Sequence, residues 1–385
     1  MKVPFNRISL EGSELRNIGE AIASGHLQGD GRFMKICEEK IAAMTGAKAA
    51  LLANSCTASL DMAAILCEIS EGDEVIVPSY TFVSSANAFV LRGAKPVFCD
   101  ISPDTLNIDA SKIGELVTPR TRAIVPVHYA GVGCEMDEIL AIAKKYSIRV
   151  VEDAAQGFLA SYRGRALGTI GDFGSVSFHG TKNVVCGEGG ALFVNAPGFR
   201  DRACFIREKG TNRIQFVEGK IDKYTWVDYG DSFIPSEILA AFLAAQLDAA
   251  ERLTSERIAA WDYYYSRLSE LEGRGDLRLA KIPGYCRHNA HIFFVLADSP
   301  ETEKELEKFM KSREIGVAQH YAPLHLCPMA RRLGCDPRPL PVAETLSKTM
   351  LRLPIFSSIS RDEQDFVCDS ICEFFRGRPA AVPLP

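Results

Sequence analysis

Not one pair of cysteines in this chain has C-x-x-C spacing. Twelve cysteines are scattered over 385 residues, and the one close pair, Cys368 and Cys372, sits a helical turn apart in an apolar stretch. That spacing excludes a zinc ribbon, leaves no metal site to expect, and points to reduced thiols in a core rather than to disulfides. Basic charge is also lacking: 44 Lys and Arg against 49 Asp and Glu give a net charge of −5. A nucleic-acid binder that works by releasing phosphate counterions is therefore not expected. No apolar run approaches the ~20 residues that cross a bilayer, so no membrane span is expected. The opening MKVPFNRISLEG lacks the apolar region of a secretory signal, which predicts a cytoplasmic location. Internal repeats and low-complexity tracts are missing as well.

What is present reads as an ordinary globular chain, 47% hydrophobic and long enough for roughly two to three domains. Seven short β-rich runs recur at Ala50-Leu51-Leu52, Glu74 to Val77, Pro96 to Cys99, Ala123 to Val127, Arg149 to Glu152, Ser175 to Phe178 and Ala191 to Val194. Helical patterns alternate with them, as at 57–68 and 135–146. This alternation predicts an α/β fold with a mainly parallel seven-stranded sheet covered on both faces. Two amphipathic helices are expected before it, near 15–22 and 32–44. A single long helix is expected over 235–272, free of internal Gly and Pro, as a connector. Beyond it, strands at 291–297 and near 315–319 and helices at 301–312 and 361–375 predict a smaller α+β domain. The division expected is a large domain at 1–250 and a small one at 251–385, with the Pro/Ala-rich end RPAAVPLP forming no element.

In open α/β sheets ligands sit beyond the carboxyl ends of the strands. Three segments there are chemically suggestive. VEDAAQ ends a strand with two carboxylates, which serve either a ligand or solvent. SVSFHGTKN followed by GEGG places Lys182 after a strand, where the amine is either a surface charge or, if desolvated, a Schiff-base former. NSCTAS stands between a strand and a helix, where free amides hold a phosphate or Ser and Thr merely cap the helix. Taken together the three describe a site for an aldehyde that carries a phosphate and a ring nitrogen: pyridoxal 5′-phosphate.

The run PSYTFVSSANAFVLRGAKPVFCD, PDTLNID, TPRTRAIVPVHYAG, VEDAAQG, GTIGDFGSVSFHGTKN, GEGGA and RLPIF, all in this order, resembles the DegT/DnrJ/EryC1/StrS sugar aminotransferase family over about residues 4 to 375. The resemblance implies a fold type I pyridoxal phosphate-dependent aminotransferase that makes amino sugars for bacterial polysaccharides or antibiotics. By motif position it implies that Lys182 is the Schiff-base lysine and proton shuttle, and that Asp153 pairs with the pyridinium nitrogen. Gln156, where many relatives have His, would meet the ring hydroxyl. Phe82 would stack on the ring, or else pack in the core, while Thr57, Ala58 and Ser177 would hold the phosphate. Ser232 stands where relatives have an Asn that reaches the neighbouring subunit's cofactor. His320 and Tyr321 resemble the family's sugar-proximal motif, with His325 as readily structural, and His179 is expected in the pocket wall.

The basic stretch 200–223 supplies Arg213 and Lys220, which meet either a substrate diphosphate or solvent. Motifs such as SCTASLDMAA and REKGTNRIQF lie nearest to members that transfer an amino group from L-glutamate to a dTDP-sugar. The reaction so implied converts dTDP-4-dehydro-6-deoxy-D-glucose to dTDP-4-amino-4,6-dideoxy-D-galactose and 2-oxoglutarate by way of pyridoxamine 5′-phosphate. The gluco epimer is the alternative product, and a cofactor-binding sensor without turnover is the rival of another class. A homodimer with shared active sites is implied by the resemblance alone.

Overall fold

In the computed structural model, which describes residues 1–378, the first nine strands are β1 (Ala50–Ala53), β2 (Glu74–Pro78), β3 (Lys95–Cys99), β4 (Thr121–Ile124), β5 (Arg149–Asp153), β6 (Ser161–Tyr162), β7 (Arg165–Ala166), β8 (Phe173–Ser177) and β9 (Gly190–Val194). The remaining four are β10 (Leu277–Leu279), β11 (Cys286–Arg287), β12 (Phe293–Ala297) and β13 (Met350–Leu353). The Pro/Ala-rich end from 379 onward falls outside the described residues.

Seven strands form the main sheet in the order β1-β9-β8-β5-β4-β2-β3. Strands β3, β2, β4, β5 and β8 run parallel, and β9 runs antiparallel to both of its neighbours. The expected α/β architecture is what forms. Its strands are buried on both faces, which is why they read as continuous apolar runs such as Val75–Val77. β9 can reverse directly against β8 because the segment between them is a turn, whereas parallel neighbours need crossover helices.

The helices Glu14–Ala23 and Arg32–Thr45 pack on the helix Glu237–Asp248. Glu237 fixes this contact. Its buried carboxylate accepts the Phe33 and Met34 amides at 2.8 and 3.0 Å, serving as the cap that Gly31 has no side chain to provide. A Cβ on Gly31 would fall 2.4 Å from that carboxyl carbon, so the close approach requires glycine.

Two expectations are corrected. The single helix over 235–272 is two, Glu237–Asp248 and Ala250–Gly273, broken at Ala249 with φ −102° and ψ 0°. No Gly or Pro marks the break. The first helix is held by the N-terminal helices and the second packs on β10 and on the helix Arg361–Phe375, so packing partners redirect the chain. Near 315–319 no strand forms; Ile315 and Ala318 make isolated bridges to Val3 and Arg352. Gly316 lies against Phe5, where a Cβ would meet the Phe5 nitrogen at 2.4 Å. The third strand of the smaller sheet is instead β13, in the order β10-β12-β13.

One buried apolar cluster runs from the main sheet through the helix Ala250–Gly273 into the smaller sheet. All twelve cysteines are free. Among the described residues no helix is long and apolar enough to cross a membrane, and no cluster of His, Cys, Asp and Glu is arranged to hold a metal.

Candidate active site

A cavity of about 520 Å³ opens beyond the carboxyl ends of β5 and β8. β5 ends Val151-Glu152-Asp153, and strand alternation sends the two neighbouring carboxylates to opposite faces. Asp153 lines the cavity, where its carboxylate accepts the Ser85 hydroxyl at 2.7 Å and the Ala155 amide at 3.1 Å. Glu152, fully buried on the other side, accepts His128 Nε2 at 2.9 Å and the amides of Gly168, Ile170 and Gly171 at 2.9, 2.6 and 2.6 Å. Only one of the two acids belongs to the site.

Lys182 reaches the same cavity from the turn after β8, where its amide bonds to the His179 carbonyl at 2.9 Å. Loss of solvation holds its ammonium below the ordinary lysine value of 10.5, and nearby Arg352 adds to this, while Cys56 and Asp153 act the other way. The amine is thus disposed to be neutral and nucleophilic. Gln156 is oriented at both ends of its amide: Oε1 accepts the Ala130 amide at 2.7 Å and Nε2 donates to the Tyr321 hydroxyl at 3.2 Å. Tyr321 stacks on His320, with centroids 4.2 Å apart. His320 in turn bonds to the Tyr129 hydroxyl at 2.8 Å and meets Arg352. Burial first, and Arg352 second, push the His320 imidazole down to about 2, and burial pushes the Tyr321 hydroxyl up to about 12.

At the other end of the cavity the helix Cys56–Leu66 begins. Ser55 caps it by accepting the Ala58 amide at 3.0 Å, so Ala58 stands beside the cavity with its amide engaged. The preceding Cys56 and Thr57 have no intrahelical acceptor for their amides and lie on the wall, with the Thr57 hydroxyl on Ser84 at 2.8 Å. Ser177 completes this end, its hydroxyl accepting the His179 amide at 3.3 Å. Phe82 is 56% exposed at the wall, its ring 6.1 Å from Tyr321, which rules out core packing in this chain. A desolvated amine, a buried carboxylate, an aromatic face and a helix N-terminus flanked by hydroxyls fit pyridoxal phosphate group by group.

The structure thus brings Thr57, Phe82, Asp153, Gln156, Ser177, Lys182, His320 and Tyr321 together, with His179 in the wall as expected. It leaves four candidates outside the cavity lining: Ala58, whose amide, expected to hold the phosphate, is taken by the Ser55 cap, and three others. Arg213 is tied to Asp30 and Glu208 at 3.2 and 3.0 Å, exposed Lys220 pairs with Glu218 at 2.6 Å, and exposed Ser232 accepts Asn54 Nδ2 on its carbonyl. His325 is buried between Ser79 and Glu344 in a structural role. Sequence reasoning missed Arg352, His291 and Arg257, all of which line the cavity. Arg352 had a signal, a lone charge in the apolar run MLRLPIF; Arg257, in a charge-rich helix, had none.

The model of the DegT/DnrJ/EryC1/StrS aminotransferase family matches residues 9–372. The spore coat polysaccharide biosynthesis protein SpsC of Bacillus subtilis is 33% identical, with 97% of each chain covered. A GDP-perosamine synthase of Escherichia coli O157:H7 is 30% identical over 97% of this chain and 98% of its own. Among solved structures, S. venezuelae DesV in complex with a ketimine intermediate superposes with a TM-score of 0.89 at 30% identity, covering 98% of this chain and 99% of that one. The cavity and these likenesses agree, and the chain belongs to the DegT/DnrJ/EryC1/StrS aminotransferase family as a sugar aminotransferase whose cofactor is pyridoxal phosphate.

Proposed function

We propose that the enzyme transfers the amino group of L-glutamate to C4 of dTDP-4-dehydro-6-deoxy-D-glucose, giving dTDP-4-amino-4,6-dideoxy-D-galactose and 2-oxoglutarate in the cytoplasm. The observation that carries this reading is the desolvated Lys182 amine sharing one cavity with Asp153. Pyridoxal phosphate supplies the aldehyde that takes up the amino group and the ring that accepts the electrons of a broken Cα–H bond. Lys182 takes the proton from the donor's Cα and later returns one to the sugar's C4. Asp153, held by Ser85, keeps a proton on the ring nitrogen. The free amides of Cys56 and Thr57 with the Ser177 hydroxyl bind the phosphate, and Gln156 faces the ring hydroxyl. His320 and Tyr321 border the space left for the sugar.

A second copy of the chain completes the site in this reading. Phe82 at the cavity wall is exposed, as are Val83, Leu91, Trp226 and Tyr229, and Arg92 covers the Tyr229 ring at 5.0 Å. Such apolar surface supports a homodimer interface. Ser232, Arg213 and Lys220, which lie outside their own chain's cavity, are assigned to the partner's. The related GDP-perosamine synthase, by its name, makes a nucleotide-linked product, which supports a nucleotide-sugar acceptor. The test is to add L-glutamate to the yellow holoenzyme and follow loss of its visible band together with release of 2-oxoglutarate. The dTDP-sugar is then added and the C4 configuration of the product read by NMR. An unresponsive band overturns the reading; an equatorial amine at C4 replaces the galacto product by the gluco epimer.

A further inference from the structure

Two arginines that face the cavity have no carboxylate partner among the described residues. Arg257 is buried and fixed by backbone alone, donating Nε to the Ala290 carbonyl at 3.2 Å and a terminal nitrogen to the His291 carbonyl at 2.8 Å. Arg352 contacts His320 and lies over the Phe5 ring, and its buried Nε has no acceptor. Burial holds both guanidinium groups below their ordinary values, and Arg352 lowers Arg257 further. His291 is pushed down first by burial and then by Lys182, Arg257, Arg352 and His320, so these five groups form one basic wall. Of the two acids that line the cavity, Asp153 is engaged instead with Ser85 and Ala155, and Glu188 lies 3.5 Å from His179 Nε2. Uncompensated buried charge is costly, and a fold retains it where an anion arrives.

The cofactor's phosphate is not that anion, because its donors, the amides and hydroxyls around Thr57 and Ser177, are a separate set. A sugar nucleotide's diphosphate is also a poor match, since several bonds separate C1 from the C4 that Lys182 protonates. An amino acid's carboxylate is one bond from the carbon whose proton Lys182 takes. It must therefore come to rest beside Lys182, where Arg352 already acts on that amine.

We propose that Arg352, backed by Arg257, is the subsite that binds the carboxylate of the amino-acid donor. This rests on the transamination reading above. Because β13 delivers Arg352 and the helix Ala250–Gly273 delivers Arg257, the smaller sheet and its neighbouring helix contribute donor recognition to a site otherwise built by the main sheet.

The test compares wild-type holoenzyme with Arg352→Gln and Arg352→Lys. A charge-assisted contact is worth roughly 1.5–3 kcal/mol, or about 10- to 150-fold. Arg352→Gln is expected to raise the L-glutamate concentration that half-saturates loss of the visible band by that factor. The saturation constant for the dTDP-amino sugar in the reverse direction is expected to move less than about 3-fold. Arg352→Lys is expected to recover part of the loss. Calorimetric titration of glutarate, which carries carboxylates but no amine, reads the subsite without turnover: binding to wild type and not to Arg352→Gln supports it. Equal weakening for donor and amino sugar, or glutarate binding indifferent to the substitution, overturns it. If wild type ignores glutamate, the functional reading falls, and the glutarate comparison still decides the subsite.

Discussion

Ser85 donates its hydroxyl to Asp153 Oδ2 at 2.7 Å, with both residues buried, so the carboxylate at the end of β5 is held in one orientation. Its task is electrostatic: a negative charge keeps the ring nitrogen protonated and so keeps the ring able to accept electrons. Asp153→Asn retains shape and loses that charge. The variant is expected to bind cofactor, as its visible spectrum will show, while its half-reaction with glutamate slows by about 10²- to 10³-fold. Ser85→Ala, which leaves the charge in place, is expected to cost less than about tenfold. Near-normal turnover by Asp153→Asn would remove Asp153 from the ring nitrogen.

Lys182 makes the rate depend on pH in a definite sense. Burial lowers its value from 10.5, so the neutral amine that takes the donor's proton appears at lower pH than an ordinary lysine allows. At saturating glutamate the half-reaction is expected to rise with pH and to level off below 10.5. Arg352→Gln removes a cation that depresses Lys182 and is expected to move the rising limb to higher pH. Lys182→Ala is expected to lose at least about 10⁴-fold, with partial rescue by added methylamine. A limb that stays put in Arg352→Gln would mean that Lys182 is not the titrating base.

Much of this site was legible because it hangs on strand ends. Asp153 and Lys182 each follow a buried apolar run, and Ser55 to Thr57 follow β1, so position relative to the sheet marked them before any contact was known. Strand alternation could also have separated Glu152 from Asp153, but only once the open face of the sheet was known. Arg257 was out of reach for another reason, and Arg352, a lone charge in an apolar run, could be noticed but not placed. Their place depends on how β13 and the helix Ala250–Gly273 dock on the main sheet, over separations that no local pattern records. The break at Ala249 belongs to the same class: its residues favour helix throughout, and tertiary packing overrides them.

Asp61 carries a cost that substitution can relieve. It lies in the helix Cys56–Leu66, its Oδ1 is buried without a hydrogen-bond partner among the described residues, and burial first, then Asp231, raise its value from 3.8 to about 6. A carboxyl raised in the folded state favours folding while protonated, and that contribution is lost as pH rises through about 6. Asp61→Asn cannot ionise. It is expected to be more stable than wild type at pH 8, by about 1 kcal/mol after its partial exposure is discounted, and to lose this advantage at pH 4. Thermal unfolding of both proteins at the two pH values measures the crossover.

Glu152 and Asp153 are adjacent in sequence and are expected to fail in opposite ways. Glu152 gathers four donors, the three amides of the 168–171 segment and His128 Nε2, while His128 Nδ1 accepts the Cys134 amide at 3.1 Å. That arrangement puts the imidazole proton on Nε2 and makes Glu152 an acceptor at both oxygens. Glu152→Gln replaces one acceptor oxygen by an NH2 aimed at donors, at a fully buried position. The expected loss is about 3–5 kcal/mol of stability, read by urea unfolding, with the rate per folded molecule changed far less. Asp153→Asn is expected to do the reverse, leaving the unfolding midpoint nearly in place while the rate falls. If Glu152→Gln slows the reaction as much as Asp153→Asn does without loss of stability, the assignment of one carboxylate to the fold and the other to the chemistry is wrong.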